Sequence, residues 1–375
     1  MKVMVLGLRG ISQVQGGVET HAAQLYQRIA ALGCDVEVLA RSPFVARGDN
    51  KVGDVRVTRL WAPTRTGLEA MLHSLLGVIY AAFSRPDILH IHAVGPAIVT
   101  PLARLAGLRT VVTHHGADYE RDKWGGFARW VLATGERWGM RHSDARIAIS
   151  PTIAQLIRTK YARESDLIPN GVEVHMPRAE TDYLETLGVQ PRRYFLNVGR
   201  MVPEKKQLDL IEAFGRAAVP GWKLVLAGKL TDDRYSDAIR EAAAKHGVVL
   251  AGFVSGAPLA QLYSHAGAFV LPSSHEGLPI ALLEALSYGL PSLASNIAGN
   301  LEVGLESACY YPLGDLDALA SRLTQLAGTP VNSDAAAARR QWMKERYDWD
   351  RIARQTLSVY SRCLRNEPNL TVERR

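Results

Sequence analysis

The stretch AFVLPSSHEGLPIALLEALSYGLPSLAS, residues 268–295, holds a complete strand–loop–helix–strand unit. Ala268–Leu271 is an apolar run of strand length. Leu282–Tyr288 reads as a helix, and Ser292–Ala294 as the next strand, after the breakers Gly289 and Pro291. Strands joined through a helix run parallel, with the helix covering the sheet. The polar segment 272–279 therefore lies at the C-terminal end of a strand. Gly277 lets a ligand approach the backbone closely. Pro279 suits a first helical turn, where its missing N–H costs nothing. The helix start offers N–H groups to an anion. Glu276 precedes the helix and Glu284 lies inside it. On a continuous helix they would differ by about 80° in direction, so both could line one pocket wall. Each has a plainer alternative. Glu276 can cap the helix, and Glu284 can be a buried, paired acid among Leu282, Leu283, Ala285 and Leu286.

Outward from this unit the same alternation fills the chain. Val3–Leu8, Asp35–Ala40, Val55–Leu60, Ile88–His92, Thr110–Thr113 and Ala145–Ile149 read as strands. Thr20–Leu32, Leu68–Phe83, Ile98–Ala106, Phe127–Arg141 and Pro151–Tyr161 read as the helices between them. The pattern restarts with strands Tyr194–Val198, Lys223–Ala227 and Val248–Leu250 and helices Gln207–Ala218, Asp232–His246 and Leu316–Ala327. Ile168-Pro169-Asn170-Gly171 is a turn, so a linker is expected at 169–182. This gives an α/β chain of two Rossmann-like, doubly wound domains, 1–175 and 182–345. A last amphipathic helix, 348–364, carries Ile352, Leu357, Val359, Tyr360 and Leu364. Ligand sites at the strand ends of the two domains would face a central cleft.

Composition excludes several classes. The chain has 375 residues, 47% hydrophobic and 22% charged, which fits globular domains and not a disordered chain. Cys34, Cys309 and Cys363 form no CxxC pair, which speaks against a disulfide framework or zinc ribbon and for a reducing, cytoplasmic setting. The opening MKVMVLGLRG is short for a secretion signal and suits a buried strand. No apolar run reaches the ~18–20 residues that span a bilayer. The net charge of +7 is concentrated early: residues 1–180 carry 22 Lys/Arg against 16 Asp/Glu. That favours an anionic partner for the first domain, a membrane surface or a phosphorylated acceptor. Single, scattered basic residues do not suit nucleic acid.

Three further clusters follow strands. Asn197-Val-Gly-Arg-Met-Val-Pro-Glu-Lys-Lys places Gly199, Arg200 and Lys205 at a strand end, where a guanidinium and an ammonium suit adjacent phosphates. A solvated basic loop is the alternative. Residues 7–21 hold a Gly16-Gly17 pair before a helix, without the GxGxxG dinucleotide pattern. Residues 113–126 are polar and aromatic, including His114, His115, Asp118 and Tyr119, and lack metal-ligand spacing. His90 and His92 alternate on the preceding strand, where packing and hydrogen bonding are the ordinary reading. No GxSxG elbow or Walker A sequence occurs.

Together these stretches resemble the retaining glycosyltransferases of family 4, with the GT-B architecture, over nearly the whole chain. Glu276 and Glu284 match the family's Glu–seven residues–Glu signature. Gly199, Arg200 and Lys205 match its Gly-Arg…Lys segment, and Gly16-Gly17 its early glycine pair. His115-Gly116 matches the first-domain His-Gly, or His114 is the functional histidine within Thr-His-His-Gly. The opening Leu-Arg-Gly-Ile, the stretch His-Ile-His-Ala-Val-Gly-Pro and the loop Asp-Tyr-Glu-Arg-Asp-Lys-Trp-Gly resemble the bacterial branch that assembles exopolysaccharide, capsule and lipopolysaccharide. Lys206 and Asn296 depart from the family's usual Gly and Asp.

The resemblance implies roles. Arg200 and Lys205 would neutralise the donor diphosphate and Glu284 would bind ribose hydroxyls. Glu276 would bind the transferred sugar, beside the amides of Gly277, Leu278, Pro279 and Ile280. Gly228 and the segment with Phe253 and Val254 would cover the base. His114 would sit against the sugar, with His115, Asp118 and Tyr119 on the acceptor side. The final helix would brace the first domain. The implied reaction is metal-independent, retaining transfer of a hexose, deoxyhexose or N-acetylhexosamine. The donor would be a nucleotide-diphosphate sugar, UDP favoured over GDP or dTDP, and no cofactor is needed. The acceptor would be a saccharide or a polyprenyl-linked saccharide, met in the cytoplasm or peripherally on the inner face of the plasma membrane. A GT-B phosphorylase or epimerase and a non-catalytic nucleotide-sugar-binding subunit are the alternatives.

Overall fold

A computed structural model describes residues 1–11, 14, 16–63, 68–117, 119, 125–329 and 332–365. The chain forms two compact units: Met1–Gly171 with the chain from Trp349, and Val172–Asp348.

The first unit holds β1 (Lys2–Leu6), β2 (Asp35–Arg41), β3 (Lys51–Val52), β4 (Val55–Leu60), β5 (Ile88–His92), β6 (Thr110–His114), β7 (Ala145–Ala148) and β8 (Asp166–Leu167). Their order in one sheet is β3-β4-β2-β1-β5-β6-β7-β8. All neighbours pair parallel except β3 with β4. Its connecting helices are α1 (Gly17–Ala31), α2 (Leu68–Ser84), α3 (Thr100–Leu105), α4 (Gly126–His142) and α5 (Pro151–Tyr161). Strand order runs one way from β1 to β2 and the other way from β4 onward. With right-handed crossovers, α1 lies on one face and α2 to α5 on the other. The C-terminal helix Trp349–Leu364 joins α1. Trp349, Ile352, Val359 and Tyr360 enter the same core as Leu25, Tyr26 and Ile29.

Helix α2 meets the sheet through its small side. A Cβ on Gly77 would lie 2.3 Å from Leu6 Cδ1, and Ser74, Val78 and Ala81 are buried. Its larger apolar residues Met71, Leu75, Ile79 and Phe83 are exposed, Phe83 by 86%, while Leu72 and Leu76 are half-buried. The outer side of α4 exposes Phe127 and Trp130, stacked at 6.0 Å.

The second unit holds α6 (Asp182–Thr186), β9 (Tyr194–Val198), α7 (Gln207–Ala217), β10 (Lys223–Ala227), α8 (Arg234–His246), β11 (Val249–Gly252) and α9 (Gly256–His265). It continues with β12 (Ala268–Leu271), α10 (Ile280–Ser287), β13 (Ser292–Ser295), α11 (Ala298–Leu301), β14 (Tyr310–Tyr311), α12 (Leu316–Gly328) and α13 (Ser333–Tyr347). The strand order is β11-β10-β9-β12-β13-β14, all parallel. Phe195, Leu224, Leu226 and Val270 meet Leu210, Phe214 and Leu323 in its core.

Candidate active site

An open parallel sheet binds ligands at the carboxyl ends of its strands, where the order reverses. In the second unit that point lies between β9 and β12, which pair through Phe195–Ala268 and Leu196–Phe269. Asn197 Nδ2 donates to the Val270 carbonyl at 2.8 Å and ties the two strand ends together. Gly199 and Arg200 leave β9 here, and residues 272–279 leave β12.

Backbone contacts hold both loops. The Ser274 N–H donates to the Glu204 carbonyl at 2.9 Å, and Gln207 Nε2 donates to the Arg200 carbonyl at 2.8 Å. Lys205 Nζ then reaches Glu276 Oε1 at 2.5 Å, with both side chains mostly buried. Arg200 lies 4.0 Å from Glu204 Oε1. Glycines make this closeness possible. A Cβ on Gly228 would sit 1.9 Å from the Gly199 carbonyl, and one on Gly299 would sit 2.2 Å from the Glu276 carbonyl. Lys206 takes φ 54°, a left-handed conformation that favours glycine, so its departure from the family pattern carries backbone strain.

Helix α10 begins at Ile280, with Pro279 as its N-cap, so Glu276 stands in the loop. The helical phase that would align Glu276 with Glu284 therefore does not apply. Glu284 has its own partner: Tyr263 donates its hydroxyl to Oε2 at 2.9 Å and stacks on Tyr288. Burial pushes the Glu284 carboxyl up to about 7. Leu278, Pro279 and Ile280 are buried. Phe253 is exposed and Val254 half-buried on the loop after β11.

In the first unit the order reverses between β1 and β5. Gly16 is the N-cap of α1, and a Cβ there would strike the Arg9–Glu19 ion pair, which closes at 2.7 Å. Gly17 opens the helix. His114 and His115, at the end of β6, part company. The His114 ring is fully buried: Nε2 faces Glu136 Oε1 at 2.9 Å, and Nδ1 accepts the Gly116 N–H at 3.1 Å. Both nitrogens are engaged inside the unit, so a sugar contact through either one would require one of these bonds to open. Lys160 at 2.5 Å, Tyr119 at 3.1 Å and Tyr161 complete the donors around Glu136. Its carboxyl is held down at about 2 by these hydrogen bonds, which outweigh its burial. His115 is half-buried and meets His92, with Nε2 and Nδ1 at 2.9 Å. Asp118 lies outside the described residues.

His21, His92 and His115 bring ligand nitrogens within 4.8 Å of one another. His92 is already engaged on both sides, by His115 and by the Tyr26 hydroxyl at 2.5 Å. His92 and His115 are therefore a hydrogen-bonded pair, with the His21 ring packed against both at 5.7 and 5.0 Å. Tyr26, Glu136, Tyr263 and Gly299 escaped the sequence reading. Glu136, an acid beside Gly135 and near Gly139 and Met140 on a helix's buried side, was the one with a visible signal.

Residues 16–171 match the family described as Glycosyl transferase 4-like domain, and residues 184–342 match Glycosyl transferases group 1. The chain belongs to the family 4 glycosyltransferases of GT-B type, which use sugar-nucleotide donors. It is 28% identical to a glycogen synthase of Mycobacterium tuberculosis, over 98% of this chain and 96% of that one. It is 26% identical to the GDP-mannose:cellobiosyl-diphosphopolyprenol alpha-mannosyltransferase of Komagataeibacter xylinus, over 95% and 92%. Its fold is shared with the Anabaena protein HepE, solved in complex with UDP-glucose, at TM-score 0.77, 18% identity and coverage of 96% and 99%.

Proposed function

We propose that this enzyme moves a hexose, deoxyhexose or N-acetylhexosamine from a nucleotide-diphosphate sugar to a saccharide or polyprenyl-linked saccharide, with retention, in surface polysaccharide assembly. The observation that carries the donor half is the Lys205–Glu276 pair, with Arg200 on the same loop, at the reversal point between β9 and β12. A diphosphate entering there meets a guanidinium and an ammonium, which stabilise the charge that develops as the glycosidic bond breaks. Lys205 then bridges the phosphate and Glu276, and Glu276 is left to accept hydroxyls of the transferred sugar. Glu284, held by Tyr263, accepts the ribose hydroxyls. In the retaining reading the acceptor attacks the face the diphosphate leaves, and a phosphate oxygen takes the acceptor proton. The cations do the neutralising, so transfer needs no metal. UDP is the favoured nucleotide, and GDP or dTDP are alternatives.

The membrane half rests on the outer face of the first unit. Met71, Leu75, Ile79 and Phe83 on α2 and Phe127 and Trp130 on α4 are exposed, with Arg85, Arg129 and Arg137 exposed near them. Aromatic and aliphatic side chains mixed with arginine suit the interface of an anionic bilayer. Among the described residues no helix is long and apolar enough to cross one. A lipid-linked acceptor would be met on that surface, on the inner face of the plasma membrane.

The test is transfer itself. Purified enzyme is offered UDP-, GDP- and dTDP-sugars with a polyprenyl-diphosphate-linked saccharide, and the product's anomeric coupling is read by NMR. An axial linkage from an axial donor supports the reading, and an inverted linkage refutes retention.

A further inference from the structure

A continuous hydrogen-bonded chain runs beneath the first unit's strand ends. Thr113 Oγ1 faces His90 Nε2 at 2.7 Å. His90 Nδ1 faces two hydroxyls, Tyr360 at 2.6 Å and Tyr26 at 2.8 Å. The Tyr26 hydroxyl also faces His92 Nε2 at 2.5 Å, and His92 Nδ1 faces His115 Nε2 at 2.9 Å. Among the described residues, nothing hydrogen-bonds His115 Nδ1. Every member except His115 is buried.

Such a chain has a direction. A neutral imidazole carries one N–H and one lone pair, and a hydroxyl carries one hydrogen. If Tyr26 donates to His92 Nε2, His92 must hold its proton on Nδ1 and donate it to His115 Nε2. His115 then holds its proton on Nδ1. If Tyr26 donates to His90 instead, every step reverses, and His115 Nδ1 becomes a bare lone pair. The Tyr26 and Tyr360 hydroxyls also hydrogen-bond each other. Tyr360 decides the direction where its hydrogen goes to the His90 Nδ1 lone pair, its contact at 2.6 Å, because Tyr26 is then free to donate along its own shortest contact, to His92 at 2.5 Å.

We propose that Tyr360, on the C-terminal helix, and Tyr26, on α1, are positioning residues that hold His115 as the Nδ1–H tautomer, so that it presents a donor and not an acceptor. Burial keeps the rings neutral, with the His90 pKa lowered to about 3 and those of His92 and His115 well below the usual value, so the proton count of the chain is fixed at neutral pH. A donor there suits an oxygen-rich ligand, a sugar hydroxyl or a phosphate oxygen. That last step rests on the proposed glycosyl transfer. The wiring itself does not.

The experiment is ¹⁵N NMR of histidine-labelled protein, with His115 assigned by difference against His115→Gln. The two ring-nitrogen shifts report the tautomer directly. Wild type should show His115 protonated on Nδ1, and Tyr360→Phe should move the proton to Nε2, because the buried His90 Nδ1 lone pair, left without its Tyr360 donor, draws the Tyr26 hydroxyl away from His92. A wild-type Nε2–H signal, or an unchanged tautomer in Tyr360→Phe, overturns the proposal. Should Tyr360→Phe fail to fold, Tyr26→Phe takes its place, and a full-intensity Nδ1–H signal there overturns it equally. Where transfer is measurable, Tyr360→Phe should lower kcat about ten- to hundredfold with the donor Kd nearly unchanged. A tautomer switch without loss of kcat would keep the wiring and refute its use in transfer.

Discussion

Replacing Lys205 by alanine removes one of the two cations assigned to the donor diphosphate and also strands its partner. With the ammonium about 4 Å from a phosphate charge at an effective dielectric near 20, the interaction is worth about 4 kcal/mol. Loss of one donor to a developing oxyanion costs about 2.7–4 kcal/mol, or 10²–10³ in kcat. The two routes agree, so kcat should fall by about 10²–10³. Stability is a separate matter. Glu276 has 11% of its side chain exposed and would lose its 2.5 Å partner. An acid left mostly buried and unpaired destabilises by roughly 1–3 kcal/mol, seen as a Tm about 2–12 °C lower in a chain of this kind. Lys205→Ala with Glu276→Gln separates the effects, since the neutral amide removes the stranded charge. The double variant should regain most of the Tm and none of the turnover. Release of nucleoside diphosphate gives kcat, and a thermal scan gives Tm. Lys205→Ala retaining more than about a third of wild-type kcat/KM would refute the phosphate role.

Glu284 gives a pH prediction. Its carboxyl is raised to about 7, so the ionised form that accepts ribose hydroxyls grows as pH rises through 7. Affinity for an intact nucleotide sugar should rise about tenfold from pH 6 to pH 8, and calorimetry on Glu284→Gln should show a flat profile. Turnover should survive EDTA, and a complete loss restored by Mg²⁺ or Mn²⁺ would contradict cation-only neutralisation. On vesicles the protein should float with anionic lipid at low salt and detach as salt rises. Phe83→Ser with Trp130→Ser should weaken flotation while nucleotide binding stays intact. A protein that stays unbound on anionic vesicles meets its acceptor in solution.

Much of this architecture was legible because parallel strands buried on both faces leave plain apolar runs. Tyr194–Val198, Lys223–Ala227 and Ala268–Leu271 stand where their runs predict. Helix α13 was not legible, since only Met343 and Tyr347 of its residues are buried and it shows no apolar stripe. Helix α9 starts at Gly256 with Pro258 in its first turn, residues that give no helical signal of their own, and β8 and β14 are too short to show a period. Sequence also marked Arg200, Lys205 and Glu276, charged residues at strand ends, and Glu284, an acid inside an apolar helix, because charges stand out against apolar surroundings. It could not say that Lys205 would meet Glu276, 71 residues away, because that contact depends on the order in which strands assemble. The same limit hid the difference between His114 and His115. Adjacent residues at a strand end point to opposite sides, and only Glu136 on the packed helix shows which side is closed. An apolar helix such as α2 can in principle face the sheet or a membrane surface. The helix uses Gly77 and its small neighbours for the sheet and leaves the large side chains outside.

Calorimetric titration shows whether Arg200 and Lys205 receive a nucleoside diphosphate. UDP, GDP, dTDP and ADP are titrated into wild type, and the tightest of them into Arg200→Ala/Lys205→Ala, whose fold is verified by circular dichroism. At least one diphosphate should bind wild type measurably, with a Kd at least about a hundredfold weaker in the double variant. Equal affinity in the two folded proteins would place the diphosphate away from Arg200 and Lys205.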